Sequence, residues 1–509
     1  MIEDPTSRTA PPPAANPETA ADDARLRALG YEQRLSRRLG VLGNIGMGFA
    51  TVSPVVGLYA VVLVGMTVAG PAWVWALPVC LLGQCLLLTV YSELASEFPV
   101  SGGAYQWSRR LIGPGFAWMT GWLSLCGPLV ANTTIGYLSA PWILGLFGIT
   151  PTPNLLVAVA AGFIVVCALV NTFGIDVLRR VLALGVAAEA VASVLIGVVL
   201  LLAFREQPFS ILTATLGAEA GSAGSVPAAL LAALAVGGWA FIGFDACVAT
   251  SEETRNAARH VPRAIWWALL SVGALVILNA FATTLVHPDL PSVVAGLDPD
   301  PVSTAVIASF GSWSAKPFVV VVVVAFFACG LASQGSTARG VYSMARDGVL
   351  PLSRLMSAVS RRQVPIGAVV AVTVVGCAGL LLAVNSAAIG SLIAFGTAVL
   401  YLTFFLTALA ALIARLRGTW VPAGYVRLGR TGTVINALAV GWLGFEFVNI
   451  AWPRAILAPV GAPWYQIWAA PLVSAVVVLA GLLYLLIARP QDKVLVSASF
   501  ATRVEGIDR

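Results

Sequence analysis

The sequence predicts an all-α, polytopic membrane protein, and three observations carry that expectation. Of 509 residues, 59% are hydrophobic, and the mean hydropathy is +0.91. Only 10% are charged, where a soluble domain carries about 25%. Apolar runs of about 20 residues recur, continuous rather than alternating as in a membrane β-barrel, so each reads as a bilayer-crossing helix. So few charges cannot solvate a globular surface of this size. A disordered or nucleic-acid-binding chain is excluded on the same ground, and the lipid bilayer is the partner that the composition demands.

In chain order, residues 1–38 form a tail rich in Ala, Pro, Asp and Arg. Lacking the apolar core of a signal peptide, it reads as disordered and cytoplasmic to about Ala28, with Arg34–Arg38 a basic approach to the membrane. Twelve spans follow, at 41–67, 72–96, 115–141, 154–174, 178–203, 227–250, 264–287, 317–344, 364–384, 389–414, 432–451 and 465–488. Residues 489–509 form a second cytoplasmic tail. The partition of charge supports that count. With the N-terminus inside, the outside loops hold only Arg205, Lys316 and Arg454. The inside loops hold Arg109/Arg110, Arg179/Arg180, Arg255/Arg259/Arg263, a run from Arg339 to Arg362 and another from Arg415 to Arg430, as the positive-inside rule requires.

The seven cysteines all lie in apolar runs, none at metal-ligand spacing, and His260 and His287 are too scattered to complete a site. They read as packing residues, so no disulfide, metal or other cofactor is expected. No nucleophile–base pair appears at usable spacing, which argues against an enzyme.

The first and sixth spans carry the strongest functional signal. The first reads GNIGMGFATVSPVVGLY, with Gly43, Gly46, Gly48, Pro54 and Gly57; the sixth reads VGGWAFIGFDACVATSEE, with Gly237, Gly238 and Gly243. One glycine in a membrane helix often serves close packing. Interruptions in corresponding positions of two five-span halves point instead to a transporter's midplane site. Unwound carbonyls there can hold an ammonium, and half-helix N-termini a carboxylate.

Four stretches together resemble the amino acid–polyamine–organocation permeases: GNIGMGFATVSP at 43–54, SELASEFPVSGGAYQW at 92–107, FIGFDACVATSEETRNAARHVPRAI at 241–265 and ARGVYSMARDGVLP at 338–351. The second and third look most like the amino acid, GABA and choline permease branch, and the resemblance runs from about residue 40 to 488. It implies a leucine-transporter-like fold and a secondary carrier working by alternating access. Its ten-helix core would occupy 39–414, in inverted five-span repeats of about 41–203 and 227–414, with two peripheral helices in 415–488.

The substrate-binding candidates are Ile45, Gly46, Gly48, Ala50 and, less centrally, Ser53 at the first break, with Asn132 on the third span and Trp239, Phe241, Gly243 and Asp245 at the sixth. Relatives place an aromatic lid in a similar W-x-F-I-G stretch, which here lands on Trp239; an aromatic also covers an ammonium by cation–π attraction. Helix packing is the plainer role for that indole. Asp245 reads as a contact for substrate amine or proton, or equally as a cap of the second half-helix. Glu189, midway along the fifth span with no basic residue nearby, is expensive in a bilayer unless protonated, paired or wet. It is the leading proton-coupling candidate with Asp245, and a structural hydrogen bond is the alternative. Some proton-coupled relatives place a lysine in this span; this sequence does not. Glu446 reads as pairing with a polar neighbour or Arg454. Thr133 reads like Asn132, and Ser333, Gln334 and Ser336 offer a weaker sodium route or helix-to-helix bonding. Glu93, Glu97, Glu252, Glu253 and Arg346 suit an inner gate, or simple topology-setting charge.

The expected function is uptake of an amino acid or small amine across the cytoplasmic membrane, by proton symport. An obligate exchanger is the alternative, and a non-transporting nutrient sensor a third reading. Substrate identity and oligomeric state stay open.

Overall fold

The computed structural model describes residues 17–382, 387–458 and 461–493, and among them every regular element is helical. In order these are α1 (Pro17–Ala28), α2 (Val41–Val52), α3 (Pro54–Ala69), α4 (Ala76–Glu97), α5 (Gly103–Leu111), α6 (Pro114–Leu146), α7 (Pro153–Thr172) and α8 (Ile175–Ala203). Then come α9 (Val226–Gly237), α10 (Ala246–Ala249), α11 (Ala257–Val286), α12 (Leu290–Val294), α13 (Pro301–Phe310) and α14 (Ala315–Arg346). The chain continues through α15 (Ser353–Met356), α16 (Ile366–Gly379), α17 (Ala387–Leu416), α18 (Thr431–Ala451), α19 (Trp464–Ile467) and α20 (Ala469–Ala488).

Among the described residues, ten helical stretches are long and apolar enough to cross a membrane. The first, Val41–Glu97, covers two of the spans read from the sequence. Where a span was expected at 364–384, α16 has 14 residues, about 21 Å of helix against a hydrocarbon core of about 30 Å.

The core lies where α2, α3, α4, α6, α11, α14 and α17 meet, with Trp73, Tyr91, Trp107, Phe241, Phe244, Phe326 and Phe404 wholly buried. Lipid offers no hydrophobic drive between helices, so close approach and polar pairing must hold them together. Gly48 shows the first: a Cβ there would lie 2.5 Å from Cys247 Sγ and 2.7 Å from Ala268 Cβ. The indoles of α6 show the second. Trp118 Nε1 donates to Gly481 O (3.0 Å) and Trp122 Nε1 to Val477 O (2.9 Å), fastening α20 to α6.

The amino-terminal tail departs from the sequence reading. Residues 17–28 form α1, and residues 29–39 pack against one end of the bundle. Arg37 pairs with Asp23 at 2.6 Å, Asp22 accepts from Asn256 N (2.6 Å), and Leu39 bridges Thr254. Composition suggested disorder because the segment has little apolar surface of its own; partners more than two hundred positions away fix it. Residues 1–16 and 494–509 of the expected tails lie outside the described residues.

Candidate functional site

Two helix breaks face each other at the centre of the bundle. The first lies between α2 and α3, at Ser53, whose φ of 51° is in the left-handed region. That conformation costs a non-glycine residue about 1–3 kcal/mol, and its surroundings hold it there. Ser53 Oγ accepts from Val56 N (3.1 Å), capping α3, and Pro54 occupies the first turn. The same hydroxyl donates to Glu189 Oε1 (2.5 Å), which also accepts from Val55 N (3.0 Å). Glu189 is therefore a buried carboxyl capping the α3 N-terminus, where free N–H groups and the helix dipole favour it. Its Oε2 has no hydrogen-bond partner.

The break thus falls within the Gly43–Gly57 stretch that suggested it, but beyond Ile45, Gly46, Gly48 and Ala50. α2 runs unbroken through these four residues; Gly48 serves contact rather than unwinding, admitting Cys247 and Ala268, while a Cβ at Gly46 would meet open space.

The second break is longer. α9 tightens into a 3-10 turn at Gly238–Phe241, the chain extends through Ile242, and α10 begins only at Ala246. Gly243 sits at φ 114°, and a Cβ there would meet Thr51 Cγ2 at 2.8 Å and the Thr51 carbonyl carbon at 3.1 Å. Only glycine supplies that conformation and that approach together, so the two breaks touch backbone to backbone. Asp245 stands at the N-cap position of α10, yet its side chain makes no capping bond.

Beside these breaks lies a cavity of about 110 Å³. Thr51, Val52 and Val56 line it from the first break, Trp239, Ile242, Gly243 and Asp245 from the second, and Ser333, Ser336 and Thr337 from α14. Tyr91, Ala131 and Ile135 complete the wall near the breaks, while Gly102–Tyr105 and Met344 carry it toward the end of the bundle where Arg109, Arg110 and Arg346 lie. Asp245 is the one charged side chain in this lining. Among the described residues no other residue bonds its carboxylate. Cys329 also lines the cavity, with Sγ 3.4 Å from Thr51 O.

Of the expected binding residues, the cavity gathers Trp239, Gly243 and Asp245. Ile45, Gly46, Gly48, Ala50, Ser53 and Phe241 lie outside its lining. Asn132 stands behind it, donating to Pro128 O (2.8 Å) and to the lining residue Thr337 (Oγ1, 3.2 Å). Thr133 donates across to Gly376 O of α16 (3.0 Å), a helix-to-helix bond. Gln334 turns away toward Asn171 and Thr373. Glu446 reaches Asn449 (3.5 Å), and Asn449 rather than Glu446 holds Arg454. Tyr91, Ser124 and Ala131 were missed; nothing local in their helical stretches marks them, since the fold alone turns them inward.

The expected gate residues are paired. Arg346 forms two hydrogen bonds to Glu252 (2.7 and 2.9 Å), and Arg339 binds both oxygens of Glu253. Glu93 sits elsewhere, bonded to Arg415 and to Leu428 N, tying α4 to α17 and the loop before α18. Glu97 binds Ala423 N of that loop (2.6 Å).

A family profile described as amino acid permease matches residues 39–484, from just before α2 to within α20. The amino-acid permease BAT1 of Arabidopsis thaliana is 26% identical over 84% of this chain and 87% of its own length. Its rice homologue is 28% identical over 87% and 90%. The vacuolar cationic amino acid transporter 4 of Arabidopsis thaliana is 28% identical over 79% and 66%. A putative amino acid/polyamine transporter of Macrophomina phaseolina is 26% identical over 80% and 93%. The chain that folds these two breaks around a lone carboxylate belongs to the amino acid permease family of multi-pass membrane proteins.

Proposed function

We propose that this permease carries an amino acid or small amine across the cytoplasmic membrane by alternating access, with the cationic amine held against Asp245 beneath Trp239. The observation that carries this reading is the unpaired Asp245 carboxylate in a cavity with no cationic side chain to balance it. A ligand with net positive charge satisfies that site best. Relatives named as a cationic amino acid transporter and an amino acid/polyamine transporter agree with it. The reading includes twelve crossings with both termini cytoplasmic, the two broken helices occupying matching places in inverted repeats.

Proton symport is the preferred coupling. Glu189 bridges α8 to the first break, and protonation there would alter the bonds to Ser53 and Val55 that hold the break. Exchange without a driving ion is a second reading, favoured by the commitment of Glu189 Oε1 to capping.

A thermal-shift panel on purified protein should set L-lysine, L-arginine, agmatine and putrescine against GABA, choline and neutral amino acids. A ligand at 100 times its Kd stabilises by about 2.7 kcal/mol. The expected result is a shift with cations that Trp239→Ala weakens about tenfold in affinity, consistent with about 1–2 kcal/mol for a desolvated cation–π contact. A panel in which no amine shifts the melting temperature would overturn the reading. Uptake driven by a pH gradient, lost in Glu189→Gln, separates symport from counter-flow exchange.

A further inference from the structure

The amino-terminal segment grips both sides of the basic end of the bundle. On one side it joins the chain that follows α10. Leu39 N donates to Glu253 O (2.8 Å) and Leu39 O accepts from Arg255 N (2.9 Å), completing the bridge to Thr254. Gln33 Nε2 donates to Glu252 O (2.9 Å). On the other side it joins α5 and the end of α14. Tyr31 Oη lies 2.9 Å from both carboxylate oxygens of Asp347 and 3.0 Å from Gln106 Oε1. The Tyr31 ring covers the Arg346 guanidinium at 3.7 Å, and Leu29 O accepts from Arg110 (3.0 Å).

These two sides are mechanically distinct. α2 and residues 246–254 are stitched into one unit: Asn44 Nδ2 donates to Cys247 O (3.1 Å) and to Thr254 Oγ1 (2.6 Å), and Gly48 rests on Cys247. That unit ends at Ser53 and Gly243, the two positive-φ breaks, so both of its connections toward the far end of the bundle can bend. α5 and α14 are continuous helices outside it. Tyr31 therefore fastens the hinged unit to its surroundings. It does so at the wall of the cavity, because Tyr105 lines the cavity and its hydroxyl donates to Asp347 (3.0 Å). Asp347 also accepts from Arg109 (2.9 Å). Burial, and the Asp347 carboxylate beside it, push the Tyr31 hydroxyl above its ordinary range, so it remains a donor at physiological pH. Its ring keeps water from the Glu252–Arg346 pair, and a dry ion pair is stronger than a wet one.

We propose that Tyr31 is a gating residue: residues 17–39 ride on the hinged unit through Leu39, and Tyr31 must release Asp347 and Arg346 each time the cavity opens at its basic end. The proposal rests on the transport reading above. It is directional, since the Tyr31 contacts break in each cycle while the Leu39–Thr254 bridge persists.

Cys329 supplies the reporter. In protein retaining Cys329 as its sole cysteine, held in nanodiscs, a water-soluble maleimide should modify Cys329 about tenfold faster when Tyr31→Ala is added. Tyr31→Phe, which keeps the ring and loses the hydroxyl, should fall between. Tyr31→Phe and Asp347→Asn combined should accelerate labelling by less than the product of their separate effects, because both break one contact; that pair also serves if Tyr31→Ala does not fold. A disulfide between Leu39→Cys and Thr254→Cys, adjacent across the bridge, should leave labelling at the parent rate. Unchanged labelling in both Tyr31→Ala and Tyr31→Phe would overturn the proposal, and so would suppression of labelling by that disulfide. Faster labelling in Tyr31→Ala from a protein that L-lysine and the other amines fail to stabilise would support the latch and count against the amine-carrier reading.

Discussion

The two breaks differ in what each does with a carboxyl group. At the first, Ser53 is the only residue outside helix, and the freed N–H groups of Val55 and Val56 are both satisfied, by Glu189 and by Ser53 itself. At the second, the chain leaves helical geometry over several residues and Asp245 faces the cavity with no neighbouring partner. On the proposed reading, the satisfied break is the joint and the unsatisfied one the receptor. The bilayer sharpens that distinction, since it supplies no water to complete an unmet hydrogen bond.

Substitutions can break that contrast, the largest effect first. Asp245→Asn should reduce affinity for a cationic ligand up to about 100-fold, as removal of a charged hydrogen-bond partner costs about 1.5–3 kcal/mol. The unliganded melting temperature should hardly change; titration with the cation that stabilises wild type reads both. Equal affinity in the variant would mean that Asp245 is not the receptor. Glu189→Ala should lower stability by about 1–3 kcal/mol by leaving the Val55 N–H buried without an acceptor. Glu189→Gln retains an acceptor and should lose less than half of that. If denaturant unfolding showed the two variants equally damaged, charge rather than hydrogen bonding would hold the joint. Ser53→Ala should cost about 1 kcal/mol, the usual value of an N-cap, with ligand affinity unchanged. A large loss of affinity in Ser53→Ala would bring the first break into the receptor and erase the contrast.

Much of this was legible in the chain. Continuous apolar runs mark the bilayer helices, and the arginine-rich loops collect at one end, as the clustering of Arg109, Arg110 and Arg346 shows. The existence of two breaks was legible from glycine density, but the place of the first was not, because glycine marks either unwinding or contact. The Ser53–Pro54 pair held the better signal: serine is a favoured N-cap, proline suits the first helical turn, and the residue before proline is pushed out of helix. The second break was placed well because at Gly243 the positive φ and the close approach of Thr51 both call for glycine. The isolation of Glu189 among apolar neighbours revealed a costly carboxyl. Its partner Ser53 lies 136 positions away, a distance that no local pattern spans. The docked tail escaped notice for the same reason: Tyr31 finds Asp347 across 316 positions.

The pairing of α6 with α20 bears on how the polypeptide is made. Trp118 and Trp122 wait for acceptors 363 and 355 residues downstream, which at about 5–20 residues per second is roughly 20–70 s of translation. During that interval α6 holds two indole N–H groups lacking their final acceptors. The packing of α6 is therefore completed only by α20, the last α-helix among the described residues, and a chain released before residue 477 should be a substrate for membrane quality control rather than a smaller transporter.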